Sequence, residues 1–373
     1  MSKIIVLGAL PSSLVNFRGE LLKSLVEAGH EVIGMASGAT EQEIEQLKLM
    51  KVRYVNYDVQ RNGLNPISDF KTLWQLRAIF KREKPDIILA YTIKPVIWGG
   101  IAAKRLTGCR FYALITGLGF AFQRGGLKRN ILVSLVVKLY RNALSKASGV
   151  IFQNSDNRVV FIDMGICPQE KTYQVNGSGV KLEHFKPAKL PDKPVFLLIA
   201  RLLGDKGIRE YAEAAMAVKR KHPHAIFQLV GPEDPSPDGI KMSEVDSWQQ
   251  QGAIQYLGAT TDVRPFIKNC SIFVLPSYHE GMPRTVLEAM AMSRPILTTD
   301  VPGCRNTVIE GVNGFLVEKG NVEQLADKLN WYIENQPRWG EMAQASYKIA
   351  VEKFDVKKVN TELMSILLGR GYE

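Results

Sequence analysis

The sequence predicts an α/β protein of two domains, each a parallel sheet wrapped by helices. Two observations carry this. Short apolar runs alternate with amphipathic segments along both halves of the chain, the order that builds βαβ units. A proline-rich stretch without long periodicity, residues 177–194, separates the halves. The 373 residues suffice for two cores, and 46% hydrophobic with 23% charged residues is an ordinary soluble composition.

In the first half, residues 3–7 read as a strand, and the GALPSSLVNFRGE turn leads into a helix over 16–27 that ends at Gly29. Its early Pro11-Ser12-Ser13 and the polar-faced helix behind it argue for a strand and against a signal peptide. Strands are predicted at 31–35, 52–55, 87–90 and 110–115, with helices at 41–50, 68–81 and 96–106 between them. In the second half, strands fall at 195–200, 225–230, 254–257, 271–275, 295–298 and 315–317. Helices fall at 208–220, 243–250, 263–268, from 283, at 322–334 and at 341–354. The predicted domains are residues 1–180 and 181–373, with the last helix free to pack back on the first. Ligands of such sheets sit at the carboxyl ends of the strands, and two facing domains enclose a cleft.

Charge is unevenly placed. Residues 1–180 hold 24 Lys/Arg against 13 Asp/Glu, the whole net excess of +11. That suggests an anionic partner: nucleic acid, anionic lipid or a phosphorylated substrate. Residues 128–146 (KRNILVSLVVKLYRNALSK) carry a wide apolar face of Leu132, Val133, Val136, Val137, Tyr140 and Leu144, with Lys128 and Arg129 at the start. Such a helix is either buried or laid on an anionic membrane; the basic half favours the membrane. No segment reaches 18 apolar residues, so none is expected to span a bilayer. The four cysteines lack CxxC spacing and read as reduced structural thiols of a cytoplasmic protein.

Two constellations carry chemistry. Arg201 and Lys206 lie just past the strand at 195–200, in IARLLGDKG, where a phosphate would sit. Glu280 and Glu288 lie eight positions apart, one in a loop and one inside the helix that starts near Pro283. A helix N-terminus favours an anion. Carboxylates beside it suit the hydroxyls that flank a phosphate, the description of a nucleotide sugar. Without a GxGxxG after the first strand, a dinucleotide oxidoreductase is a weak reading.

With ARLLGDKG, the Glu-x7-Glu of HEGMPRTVLEAMAMSRPILTTDVPG and the trailing GVNGFLV, the second half resembles the retaining GT-B glycosyltransferases of family GT4. NFRGEL, YTIKP with GGIAAK, and ITGLGFAF make the first half similar to bacterial enzymes that build surface polysaccharides and glycoprotein glycans on undecaprenyl diphosphate. The resemblance implies two Rossmann-like domains facing a cleft. It implies transfer, with retention, of a hexose or N-acetylhexosamine, N-acetylgalactosamine the first choice, from a UDP-sugar to a lipid-linked saccharide. Partners are then the UDP-sugar, the lipid-linked acceptor and an anionic membrane, with no nucleic acid. No cofactor and no metal are expected, and the place is the inner face of the plasma membrane. The resemblance assigns Arg201 and Lys206 to the diphosphate, Glu288 to the ribose, and Glu280 with Gly281, Met282 and Pro283 to the sugar and phosphate. Gly231 and residues 256–258 take the uracil.

Many members of the family it resembles place a histidine in the first domain near the reacting sugar, and no His lies between His30 and His184 here. Thr116 is a candidate in its place. Asn16, with Ser12 and Ser13, is a candidate at the mouth of the first helix, or simply its N-cap. Lys94 and Arg124 are candidates for the acceptor diphosphate, and His279 for a donor contact. The alternatives are a non-hydrolysing UDP-sugar epimerase of the same architecture and a non-catalytic polyanion-binding module.

Overall fold

The computed structural model describes residues 1–60, 65–118, 122 and 126–369. Arg124 and the side chain of Lys128 lie outside the described residues. The chain divides into two compact units, Met1–Ser178 with Lys357–Glu373, and Gly179–Val356.

In the first unit the strands are β1 (Lys3–Leu7), β2 (Glu31–Ala36), β3 (Arg53–Asn56), β4 (Ile87–Tyr91), β5 (Arg110–Ile115), β6 (Gly149–Phe152) and β7 (Thr172–Gln174). They form a sheet in the order β3-β2-β1-β4-β5-β6-β7, and every pairing between them is parallel. The order reverses between β1 and β4. Both faces are covered, as a parallel sheet requires. Ile5 and Leu7 of β1 enter one buried cluster with α3 (Pro66–Glu83), α4 (Ile93–Ala103) and α5 (Gly126–Leu144). Ile4 and Val6 enter another with α1 (Pro11–Glu27), α2 (Glu41–Leu49) and Val359, Leu363 and Leu367 of the last helix, α13 (Val356–Leu368).

The second unit repeats the scheme. Its strands are β8 (Val195–Ile199), β9 (Ile226–Val230), β10 (Gln255–Tyr256), β11 (Ile272–Leu275), β12 (Ile296–Thr299) and β13 (Gly314–Val317). They run β10-β9-β8-β11-β12-β13, again in parallel, and the order reverses between β8 and β11. Phe196 and Leu198 of β8 pack on one side, with α7 (Ile208–Lys221) and α11 (Val322–Glu334). Leu197 and Ile199 pack on the other, with α10 (Arg284–Ala291).

Four expectations are corrected. The first helix begins at Pro11, not at Asn16. Pro11 brings a preset φ and needs no donor in a first turn, and Ser13 Oγ donates to Leu10 O at 2.6 Å. Asn16 is therefore inside the helix and is not its N-cap. Second, β6, α6 (Ser155–Asp163) and β7 occupy a region to which no element was assigned. Third, the stretch 177–194 is mostly not a free linker. Val180 N donates to Phe354 O at 2.7 Å, and Phe185 is buried in the second unit's core. Fourth, the apolar face of α5 is not available to a membrane. Val133, Val136, Tyr140 and Leu144 are buried in the first unit, with Leu132 and Val137 packed against them.

Candidate active site

The second unit's site grows from the reversal between β8 and β11. Each strand ends in a loop there, and the two loops are laced together. Gly207 has φ +69°, and a Cβ at that position would fall 2.0 Å from the Pro276 carbonyl oxygen. Only glycine lets the loops approach so closely. Tyr278 N donates to Asp205 O at 2.8 Å, and Ser277 Oγ to the same oxygen at 3.2 Å. The lacing brings Lys206 Nζ to Glu280 Oε1 at 2.8 Å, with the two side chains only 16% and 18% exposed. Burial works to lower the Lys206 pKa, but the charge and hydrogen bond of Glu280, helped by Asp205, raise it overall. Lys206 is thus a fixed ammonium in a site with little water. Beside it, Asp205 Oδ2 lies 3.4 Å from His279 Nε2. Burial first, then the Glu280 carboxylate, pushes the Cys304 thiol up to about 12, so it is a neutral wall.

Glu288 lies on α10, past the loop of Gly281, Met282 and the buried Pro283 that leads into the helix. It is 6% exposed and pairs with Arg284 one turn back at 3.1 Å. Burial raises its pKa against the opposing charge of Arg284. Arg201 is turned toward Asp234, in the loop after β9, with which it forms an ion pair. Hydrogen bonding from Ser236 first, and then the Arg201 charge, holds that carboxyl below its usual range. Gly231, at the end of β9, sits where a Cβ would meet Ala200 O at 1.7 Å. Its carbonyl accepts from Tyr256 Oη at 2.9 Å, and its N–H donates to Gly258 O at 3.0 Å. The loops after β8, β9, β10 and β11 therefore form one continuous edge.

In the first unit the candidates also fall at carboxyl ends of strands. Thr116 follows β5, and Asn16 stands exposed on α1 behind the loop that leaves β1. Between them lies a group the sequence pattern did not single out. Tyr91 Oη is 2.7 Å from Ser13 Oγ and is pushed up to about 12 by burial, against the effects of Ser13 and Arg18. The buried Arg18 guanidinium lies 5.2 Å from the Tyr91 ring centroid. Thr92 takes a φ of +67° at the mouth of α4, an uncommon conformation for a β-branched residue. Lys94 pairs with Asp69 at 2.8 Å, both nearly buried. Lys94, the candidate for the acceptor diphosphate, is thus not a solvated surface cation but is held by Asp69.

Asp234, Arg284 and Tyr91 were not foreseen. Arg284 could have been, since it lies four residues before Glu288 on one helix. Asp234 is remote in sequence from Arg201 and gives no such signal. Among the described residues, no group of three or more His, Cys, Asp or Glu side chains is placed to hold a metal ion. Among them, too, no helix is long and apolar enough to cross a membrane.

Two parallel-sheet units, each with its loops gathered at a strand-order reversal, and an ammonium–carboxylate pair at one of them are the architecture of a two-domain α/β protein with a polar site at its strand ends. Residues 180–349 match the family model of glycosyl transferases group 1, and residues 3–154 that of glycosyl transferase 4-like domains. The chain is a glycosyltransferase of the GT-B fold and belongs to family GT4. It is 29% identical to the N,N'-diacetylbacillosaminyl-diphospho-undecaprenol alpha-1,3-N-acetylgalactosaminyltransferase of Campylobacter jejuni, over 87% of this chain and 88% of that one. It is 29% identical to the UDP-Gal:alpha-D-GlcNAc-diphosphoundecaprenol alpha-1,3-galactosyltransferase of Escherichia coli, over 72% and 71%. Its fold is shared with Anabaena HepE, crystallised with UDP and glucose, at a TM-score of 0.78, 19% identity and 99% and 100% coverage.

Proposed function

We propose that the chain transfers a hexose or N-acetylhexosamine, N-acetylgalactosamine first among them, from its UDP derivative to a saccharide carried on undecaprenyl diphosphate, keeping the anomeric configuration. The observation that carries this is the Lys206–Glu280 pair at the reversal between β8 and β11. The named activities of the Campylobacter and Escherichia relatives support the acceptor class.

In this reading the donor diphosphate takes the place beside Lys206, and Arg201 turns to it from Asp234. The bond from the anomeric carbon to the β-phosphate oxygen breaks, and both cations stabilise the charge gathering on UDP. Electrostatic stabilisation of this kind is the largest single contribution in many enzymes. The acceptor hydroxyl attacks from the face that UDP leaves, and its proton passes to the departing phosphate oxygen, so charge and atoms balance. Glu280, released from Lys206, accepts hydrogen bonds from the sugar hydroxyls beside the Gly281–Met282–Pro283 turn. Glu288 accepts from the ribose, and Gly231 with residues 256–258 lines the uracil. The first unit, with Thr116, Asn16, Ser13 and Tyr91 near its strand ends, takes the acceptor. The enzyme then works at the cytoplasmic face of the membrane that carries its substrate.

The test is a panel of UDP-sugars against undecaprenyl-diphosphate-linked acceptors, with the product linkage read by NMR. Transfer of N-acetylgalactosamine from its UDP derivative, with an α linkage, is expected. Interconversion of UDP-sugars without an acceptor would establish the epimerase instead, and an inverted anomer would overturn retention.

A further inference from the structure

Helix α3 exposes large apolar side chains and cations on one outer face. From Ile67 onward its exposed positions are Ile67, Phe70, Lys71, Trp74, Ala78, Lys81 and Arg82. At 3.6 residues per turn these fall within about a third of the circumference. Ile67 is 84% exposed, Phe70 59% and Trp74 55%, so three large apolar side chains stand in water along one line. Phe70 and Trp74 meet edge to face, with centroids 6.0 Å apart. The Arg77 guanidinium lies 5.7 Å from the Trp74 ring centroid.

The charges on this helix are sorted. Its two carboxylates are buried, Asp69 against Lys94, and Glu83 against Arg53 and its own neighbour Arg82. Three of its four cations, Lys71, Lys81 and Arg82, are exposed, and Arg77 is half-buried beside Trp74. Exposed Asp58, from the loop after β3, pairs with Lys71 at 3.0 Å and also accepts from Gln75. The face remains cationic overall, and it belongs to the half of the chain that holds the entire +11 excess. A second protein copy presenting this same face would oppose cation to cation. A stripe of Ile, Phe and Trp rimmed by Lys and Arg matches the boundary between headgroups and acyl chains of an anionic bilayer.

We propose that α3, through Ile67, Phe70 and Trp74 with Lys71, Lys81 and Arg82, is the surface by which the enzyme docks on an anionic lipid bilayer. This relocates the contact expected of α5, whose wide apolar face is buried and whose large exposed apolar residues, among those described, are Ile131 and Leu135. The inference rests on the lipid-linked acceptor proposed above, which gives the enzyme reason to sit on a membrane. The two are tested apart. Vesicle binding without acceptor reads the surface, and transfer to a short-chain, water-soluble acceptor analogue reads the reaction.

The experiment sediments the full chain with vesicles of phosphatidylcholine containing a third of phosphatidylglycerol. The I67S/F70S/W74S variant should partition about tenfold or more weakly, while I131S/L135S stays within about twofold of the parent. Both should keep parental transfer to the soluble analogue. Brominated phospholipid should quench part of the parent's tryptophan emission, and that part should vanish in W74F, a variant that keeps an aromatic ring. Equal partition of the triple variant and the parent would overturn the proposal, as would equal binding of the parent to pure phosphatidylcholine. A parental dimer that the triple variant dissolves would also overturn it, by assigning the face to a second copy.

Discussion

The two units share one topological device and fill it with opposite chemistry. In each, the order of parallel strands reverses once, between β1 and β4 or between β8 and β11, and the flanking loops meet there. At the second reversal the meeting is ionic: Lys206 with Glu280, and nearby Arg201 with Asp234 and Arg284 with Glu288. At the first it is made of hydroxyls, Ser13 with Tyr91, over a buried Arg18. The difference teaches how each half suits its proposed ligand. A diphosphate and its sugar can replace the partners of cations already held in place. Neutral saccharide hydroxyls are better met by groups that donate and accept.

The strongest way to break this contrast is to remove a cation from the ionic side. Lys206→Ala and Arg201→Ala should each lower kcat at least about 100-fold, the scale for losing one stabiliser of developing charge. Steady-state transfer from the preferred UDP-sugar checks this, with circular dichroism confirming the fold. Near-parental turnover in both variants would remove the diphosphate from this edge.

Much of the second unit's site was legible because its chemistry is local. ARLLGDKG places two cations just beyond a strand, and Glu280 and Glu288 bracket one loop-to-helix turn. The partners were less legible. Arg201 reaches Asp234 and Lys206 reaches Glu280 only because Gly207 and Gly231 let backbones touch, and spacing does not encode which loops touch. In the first unit β1 to β5, of four to six residues, were legible as strands. β7 (TYQ) is no apolar run, and α6, with charged and apolar residues mixed around it, hides the unit that β6 begins. The face of α5 illustrates the other limit: an apolar stripe reads the same whether a core or a membrane covers it. The outer stripe of α3 went unnoticed because its inner face has the same period.

On the first unit, Lys94 distinguishes structure from recognition. Its partner Asp69 is even more buried than it is, so Lys94→Met should destabilise the protein by about 3 kcal/mol, by stranding a buried carboxylate. Lys94→Met/Asp69→Leu should recover most of that loss, since a buried pair exchanged for apolar groups is often neutral. Urea unfolding measures both. If the double variant is stable and still transfers sugar at the parental rate, Lys94 holds α4 to α3 and no acceptor phosphate.

The smallest effect concerns Glu288, where stability and binding pull apart. Burial raises its pKa in the folded chain, against the pull of Arg284. A carboxyl with a raised folded pKa favours its protonated form. Relative to a neutral side chain, it is therefore least costly below its unfolded pKa. The cost grows as pH rises from there through the folded value. Glu288→Gln should then melt about 1 to 3 °C above the parent at neutral pH, on the scale of about 1 to 2 kcal/mol for a chain of this size. The gap should close as the pH falls toward the ordinary glutamate range. Arg284 limits the gain, because the substitution costs it an anionic partner on the same helix. With UDP bound the order should reverse, since only the carboxylate accepts from both ribose hydroxyls. Melting curves of parent and variant, with and without UDP, at neutral and acidic pH, measure both signs at once. A variant that melts below the parent without nucleotide would mean that the Arg284 pair outweighs burial. A variant that UDP stabilises as much as it does the parent would take Glu288 away from the ribose.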